Sequence, residues 1–140
     1  MRPVILTLFS IIWISGFSQN LQSNPWLIDE IIGRDTNRIK EYTLQKVDTT
    51  KRFWTWGNTV RFSPEGNFAC SYSAKCGNDC FPSSNGTYRY TDSSHVILFL
   101  KEYEQDGYCE HIHRTITQYL GTYLIVRKDE VSIKLIKQNE

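Results

Sequence analysis

The stretch TVRFSPEGNFACSY, from Thr59 to Tyr72, decides the fold class of this chain. Apolar and polar residues alternate on both sides of Pro64–Asn67, as expected for two strands that each bury one face. Within the turn, the proline fixes its own φ, and Gly66 supplies the conformational freedom that a tight reversal requires. The stretch therefore predicts an antiparallel β-hairpin.

The same kind of pattern continues outward from the hairpin. Alternation with a period of two and turn residues recur at short intervals after residue 57, whereas no long segment keeps a helical period. Before the hairpin, Asn24 and Pro25 are typical of a helix start, but Trp26 and Ile28 fit one or two opening strands, which we favour. Later strands are expected at Thr87–Thr91, His95–Tyr103, Cys109–Gln118, Tyr119–Arg127 and Val131–Lys137. The sequence thus predicts an all-β chain of about eight or nine strands.

Short connections between these strands predict an antiparallel, up-and-down order. An antiparallel sheet of this size usually closes into a barrel or folds into a sandwich, because it has to bury one face and protect its edges. In an up-and-down barrel, alternate connections lie at the same end. One end, which we call the turn end, is then expected to hold Pro64–Asn67, Asp92–Ser94 and Leu120–Gly121.

The opposite end, which we call the mouth end, collects the remaining connections. They are expected to be RFWTWGN (52–58), CGNDCFPSSN (76–85), EQDGYCEH (104–111) and the tight turn Lys128–Glu130. Loops at one end of a barrel are held close together by the strands below them. The four connections are therefore expected to lie close together at this end.

Several short motifs resemble the small secreted lipocalin-like domains of bacteria. They are NPWLIDEI near the N-terminus, GNTVRFSPEGNF in the hairpin, NGTY, and the closing LGTYLIVRKDEVSIKLIK. The resemblance spans nearly all of the chain after residue 18. It implies an antiparallel up-and-down β-barrel that holds a small apolar ligand, and the ligand would enter at one open end.

The N-terminal residues are typical of an export signal. Arg2 precedes an apolar run from Val4 to Ile14, and the small residues Gly16 and Ser18 suit a signal-peptidase site. The run is shorter than the ~20 residues that a membrane span needs. We therefore predict a signal peptide at 1–18, a single barrel domain at 19–140 with no transmembrane span, and a secreted or periplasmic destination.

The charge balance argues against two classes of partner. The chain has 16 Lys and Arg against 15 Asp and Glu, and removal of Arg2 with the signal peptide would leave the two signs equal. Nucleic acids and anionic membranes both favour a concentrated basic surface. We therefore expect no nucleic-acid partner.

Four cysteines, at Cys70, Cys76, Cys80 and Cys109, are predicted to form disulfides after export. All four are expected near the mouth end. We favour Cys109 joined to Cys76 or Cys80, with Cys70 taking the other; the alternative joins Cys76 to Cys80 and Cys70 to Cys109. Each bridge would contribute about 2–4 kcal/mol. The CGNDC spacing fits neither the usual redox dithiol nor a zinc knuckle.

Aromatic and polar residues at the mouth end are the candidate ligand contacts. Phe53, Trp54 and Trp56 could close over an apolar ligand, although bulky aromatics more often complete a core. In the cysteine-containing loop, Asn78, Asp79 and Phe81 are the predicted rim contacts. The sequence predicts a site here without fixing what it binds.

His111 and His113 are a weaker candidate for a metal site. Histidines at i and i+2 share one face of a strand, and Asp79 or Asp106 could supply a third ligand. If the strands pair symmetrically about Asp106, His113 lies opposite about residue 99, which leaves His95 about 13 Å away at ~3.3 Å per residue. Two partly exposed polar histidines are the simpler interpretation, so we predict neither a metal nor a cofactor.

No serine, cysteine or carboxylate lies in a recognisable catalytic motif, so we expect a protein that is not an enzyme. The leading hypothesis is a disulfide-stapled, lipocalin-like domain that binds a small apolar ligand in the barrel. The alternative is a protein-interaction or inhibitor module that acts through its mouth loops. The barrel interior discriminates between them, because a ligand needs a cavity of several hundred Å³, whereas a filled interior favours contacts through the loops.

Overall fold

The computed structural model describes residues 20–23, 25–48, 50 and 56–139. The strands are β1 Trp26–Ile28, β2 Glu41–Lys46, β3 Gly57–Phe62, β4 Asn67–Ser73, β5 Cys80–Tyr90, β6 His95–Gly107, β7 Ile112–Arg127 and β8 Ser132–Lys137, and a 3-10 helix at Leu21–Ser23 precedes them. The predicted signal peptide lies outside the described residues. Among the residues that are described, no helix is long and apolar enough to cross a membrane.

The eight strands close into an antiparallel β-barrel in the order β1-β2-β8-β7-β6-β5-β4-β3. This confirms the predicted all-β barrel. The predicted hairpin is formed by β3 and β4, where Phe62 lies opposite Phe68 and Val60 opposite Cys70. From β3 to β8 each strand pairs with the next. The short strand β1 lies between β2 and β3 and pairs with both.

The turn predicted at Leu120–Gly121 is wrong, because β7 runs through it as one strand of 16 residues. Leu98 pairs with Gly121 and Phe99 with Tyr119, so Leu120 is an extra residue in a β-bulge. Glycine is required just beyond the bulge, where φ is +131° and the Lys137 side chain covers the position. As a result, the turn that follows β7 at residues 128–131 lies at the turn end rather than at the mouth end.

The loop predicted from Cys76 to Gly86 is also partly wrong, because strand β5 begins at Cys80. Its neighbour β6 continues to Gly107, four residues beyond the predicted end. Bulges separate the barrel from the parts of the three strands nearest the mouth end. We call residues 80–85 of β5 together with residues 101–119 the extension; the second range is the end of β6, its connection to β7 and the start of β7.

The inward-facing side chains fill the described interior of the barrel. Alternate residues on β4, β5 and β6 are buried, as a strand with one face on a core requires. Tyr42 and Tyr123 meet there, with ring centroids 5.8 Å apart. The largest fully buried side chains are Tyr42, Tyr123, Phe62, Phe68, Leu21, Ile31, Ile32, Leu44, Leu98, Leu135, Val60 and Val96.

The turn end is closed by the 3-10 helix. The Leu21 side chain is fully buried, and its backbone N–H donates to the Tyr90 hydroxyl at 3.0 Å. Gln22 donates from Nε2 to the Tyr88 hydroxyl at 2.8 Å, and Trp26 donates from Nε1 to the Leu21 carbonyl at 2.8 Å. These three hydrogen bonds provide partners for polar groups at this closure, as burial requires.

Candidate functional site

The mouth end of the barrel is covered by the connection between β1 and β2. Ile31 and Ile32 in this connection are fully buried. At Gly33, a Cβ atom would lie 2.8 Å from the Leu100 side chain, so the backbone packs directly onto β6. We call residues 29–40 the cover segment.

Polar contacts fix the cover segment to several strands. Asp29 Oδ1 accepts from the Thr43 N–H at 2.9 Å, and the Asp29 carbonyl accepts from Asn58 Nδ2 at 2.9 Å. On the other side of the barrel, Gln118 Nε2 donates to Thr36 Oγ1 at 3.5 Å. Both ends of the barrel are therefore covered by the protein's own chain.

Three cavities lined by described residues lie on the outside of the barrel. A groove of about 350 Å³ runs over outward residues of β3 and β4, including Thr59, Arg61 and Ser71. One of about 360 Å³ lies beside Asn67 and Lys101. A third, of about 270 Å³, is lined by Lys40, Tyr119, Leu120, Gly121, Lys137, Gln138 and Asn139. These are surface grooves, not an internal ligand cavity.

One disulfide, Cys80–Cys109, joins the start of β5 to the residues that follow β6. The Cα atoms of the pair are 5.2 Å apart, and the bridge closes a sequence separation of 29 residues. It confirms the expectation that Cys109 bonds to Cys76 or Cys80. The bridge fastens together the outer ends of two strands of the extension.

The predicted second bridge is wrong, because Cys70 and Cys76 are both free thiols. Cys70 points into the barrel beside Val60 and Phe68 and is 2% exposed, whereas Cys76 lies in the exposed connection before β5. The strand pleat that turns Cys70 inward separates it from the mouth loops. Burial raises the pKa of the Cys70 thiol to about 12, and a backbone hydrogen bond from Ile32 opposes the rise.

A hydrogen-bonded corner supports the disulfide. The Tyr72 hydroxyl donates to Asp79 Oδ2 at 2.6 Å, and the Cys80 N–H donates to Asp79 Oδ1 at 2.8 Å. Both bonds favour the carboxylate, so the pKa of Asp79 lies below its ordinary value, with the Tyr72 bond the larger cause. The same bond raises the pKa of Tyr72.

Gly107 allows the chain to turn at this corner. Its φ is +93°, and a Cβ atom there would lie 2.2 Å from the Asp79 carbonyl oxygen. The next residue, Tyr108, donates its N–H to that same oxygen at 3.1 Å. Only glycine combines this conformation with so close a backbone approach.

Four of the predicted ligand contacts can be placed at the mouth end. Trp56 precedes β3 and is 48% exposed, and Asn78 is exposed in the connection before β5. Asp79 forms the corner described above. Phe81 packs against Tyr72, with ring centroids 6.0 Å apart. Phe53 and Trp54 lie outside the described residues.

The two candidate metal ligands have separate partners. His111 Nδ1 lies 2.5 Å from Asp106 Oδ1, while His113 Nε2 lies 3.6 Å from Glu102. In the part of the chain that is described, no three His, Cys, Asp or Glu side chains are placed to hold a metal ion. The predicted register of β6 and β7 is wrong: His113 lies opposite Glu104 rather than about residue 99. The reason is that the connection between the two strands is centred beyond Asp106.

The extension exposes apolar groups that the sequence analysis did not single out. Tyr108 is 79% exposed, and Ile116 is 48% exposed. On the same strand as Ile116, the Arg114 guanidinium lies over the Tyr103 ring, 4.8 Å from its centroid. Residue type alone does not predict the exposure of these side chains. The alternation of buried and exposed residues is lost on β7 over residues 113–117, which are all exposed. A detectable signal was the run IHRTITQY, which has no clear apolar face.

The chain matches no family model, no curated protein and no solved structure in the three comparisons made.

Proposed function

We propose that this chain is an exported, lipocalin-like barrel that acts as a protein-interaction module rather than an enzyme, with the extension as its contact surface. The observation that carries the proposal is the filled interior, since Tyr42, Tyr123, Phe62 and Phe68 occupy the space in which a lipocalin-like barrel would hold its ligand. Export is supported by the predicted signal peptide and by the disulfide, which oxidising compartments favour.

The covered ends support the same proposal. An apolar ligand needs a cavity of several hundred Å³ and a path into it. The 3-10 helix closes the turn end, while Ile31 and Ile32 fill the mouth end. Function is therefore assigned to the outer surface of the protein.

The extension has the properties of a contact surface. Exposed aromatic side chains and arginine are enriched in the centres of protein interfaces, and Tyr108 and Arg114 provide both. The disulfide and the Asp79 corner hold these residues on a rigid frame. Preorganisation of this kind lowers the entropic cost of binding.

Binding of a small apolar ligand inside the barrel is the second candidate. The closed barrel of eight strands favours it. It would require the cover segment to move, because Ile31 and Ile32 lie where the ligand would enter. The two candidates therefore differ in whether the cover segment stays in place.

Site-specific photo-cross-linking tests the proposed contact surface. A photoreactive amino acid at Tyr108 is expected to give a discrete protein adduct when the variant is produced in the protein's own host. The matched control is the same group at Val131, which is 48% exposed and lies at the turn end. Adducts at both positions, or at neither, would contradict the proposal.

A fluorescent apolar probe tests the second candidate. We expect 1-aminoanthracene to show no saturable binding to the purified protein, since Tyr42, Tyr123, Phe62 and Phe68 occupy the described interior. As a control, Leu98→Ala should create an internal cavity and increase uptake of the probe. Saturable one-to-one binding by the unaltered protein, together with faster hydrogen exchange at Ile31 and Ile32, would favour the ligand-binding function instead.

A further inference from the structure

Strand β7 has an unpaired edge in the extension. On one side it pairs with β6 along its length, but β8 pairs only with Tyr123–Arg127, and the Gln138 N–H extends this contact to the Thr122 carbonyl at 2.8 Å. Over residues 112–118, no backbone hydrogen bond from another described segment reaches the other side. We call this stretch the β7 edge.

Such an edge can accept another strand. Every second residue directs its N–H and C=O away from β6, which presents a row of donors and acceptors about 7 Å apart. Natural edge strands are commonly blocked by proline, by inward charges or by a covering segment. Residues 113–117 contain no proline and are all exposed, so the β7 edge is accessible.

One face of the β7 edge is cationic. Glu102 and Glu104 of β6 lie opposite Thr115 and His113, on the other face, whereas Arg114 lies opposite Tyr103. Arg114 lies on it, and the groove of about 270 Å³ beyond its far end is lined by Lys40 and Lys137. The Lys137 side chain lies over Gly121, directly in line with the edge. Within the described chain, these three cations have no carboxylate within ion-pair distance, and β7 itself contains no acidic residue. A strand that binds here gains most if it brings carboxylates.

We propose that the β7 edge binds an extended, acidic segment of a partner protein by strand addition, with its carboxylates facing Arg114 and the Lys40–Lys137 groove. This proposal rests on the interaction function proposed above and names the class of partner. Main-chain hydrogen bonds to residues 112–118 would supply affinity, and the cations would select the sequence. Ile116, half-exposed on the edge, would contact an apolar residue of the added strand.

Charge favours such a segment over a second copy of this chain. Antiparallel pairing of two β7 edges would bring Arg114 of both copies to one interface. Like charges placed together disfavour association. A homodimer through this edge is therefore the competing outcome of the test.

Synthetic peptides provide the probe. A fluorescein-labelled decapeptide in which glutamate alternates with valine and threonine is titrated against the disulfide-intact protein and followed by anisotropy. We expect binding to weaken at least tenfold when lysine replaces glutamate, and to weaken as salt is raised. N-methylation of alternate peptide amides, which removes main-chain donors and leaves the side chains unchanged, should also weaken it at least tenfold.

Hydrogen exchange locates the bound peptide. Saturation with the acidic peptide should slow exchange of alternate amides in residues 112–118 and leave those of β3 unchanged. Equal binding of the N-methylated peptide, or protection elsewhere, would overturn strand addition. Protection of the same amides without peptide, with a dimer in sedimentation equilibrium, would show that a second copy takes the edge and would overturn the acidic segment.

Charge reversal tests the role of Arg114. Arg114→Glu should weaken the acidic peptide at least tenfold and strengthen the lysine peptide, whereas Arg89→Glu, an exposed position at the turn end of β5, should change neither. Unchanged affinity in Arg114→Glu would overturn the selection by charge. If no peptide binds but cross-links still form at Tyr108, strand addition fails while the interaction function stands.

Discussion

The two halves of β7 share one partner strand but differ in what they bury. In residues 120–127, Leu120, Tyr123 and Ile125 point into the core and are at most 3% exposed. In residues 113–117, every side chain is exposed. The bulge at Leu120 separates the two halves.

This difference shows that the barrel and the extension are stabilised by different means. The barrel buries alternate side chains, which is the main source of folding free energy. The extension buries Tyr103 but leaves residues 113–117 exposed, and it depends on the disulfide, the Asp79 corner and main-chain pairing with β6. Side chains in the extension are therefore available for contacts with a partner.

Truncation of one side chain in each region should give the largest contrast. Leu98→Ala removes a fully buried side chain from the barrel and should lower the free energy of unfolding by about 2–5 kcal/mol. Ile116→Ala in the extension should change it by less than about 0.5 kcal/mol. Urea unfolding measures both changes in the free energy of unfolding. Equal losses would contradict the conclusion that the barrel and the extension are stabilised by different means.

Removal of the disulfide should affect the extension more than the barrel. The double variant Cys80→Ala/Cys109→Ala frees a loop with a sequence separation of 29 residues, and the chain-entropy model predicts a loss of about 3–4 kcal/mol. Hydrogen exchange should accelerate most over residues 101–107 and 112–118. Uniform acceleration across β6 would show that the extension is not a separately stabilised region.

The sequence predicts the barrel well because burial leaves a periodic pattern. Val60, Phe62, Phe68 and Cys70 alternate with polar residues, and all four are buried. The same rule fails on β7 in the extension, where residues 113–117 are all exposed. Ser83, Ser84 and Asn85 are typical turn residues, so β5 was predicted to begin at Thr87, although main-chain pairing with β6 carries the strand back to Cys80.

The sequence predicted the end of the barrel at which several candidate residues lie. Strand parity placed Asp79, Phe81 and Cys109 at the mouth end, where the structure has them. Parity failed for the turn at 128–131, since the bulge at Leu120 keeps β7 continuous through a glycine that resembled a turn. The cover segment was missed because the apolar pair Ile31–Ile32 is indistinguishable from strand residues in sequence.

The buried thiol of Cys70 should distinguish the regions at alkaline pH. Burial raises its pKa from 9.0 to about 12, so its contribution is fully present below pH 9 and is lost as the pH rises towards 12. At pH 10.5 the loss should be about 2 kcal/mol. Tyr42, whose pKa burial raises to about 12, adds a smaller fall of the same sign.

A pair of cysteine variants isolates the contribution of Cys70. Cys70→Ala should reduce the fall in unfolding free energy between pH 8 and pH 10.5, whatever its stability at pH 8. Cys76→Ala alters the exposed thiol and should leave the fall unchanged. Urea titrations at the two pH values measure both differences, and the prediction fails if the Cys70→Ala protein shows the parent's full fall.

The smallest effect is expected from the corner that holds the extension. Tyr72→Phe removes the hydroxyl that donates to Asp79 and should slightly lower the free energy of unfolding at pH 7. Because this bond lowers the pKa of Asp79, its contribution is present above the ordinary pKa of an aspartate and is lost as the pH falls and the carboxylate is protonated. The difference between the parent and the variant should therefore shrink from pH 7 to pH 3. A difference that does not shrink would mean that the hydroxyl does not favour the ionised form of Asp79, and the corner would then depend on the ring packing on Phe81, which Tyr72→Phe retains.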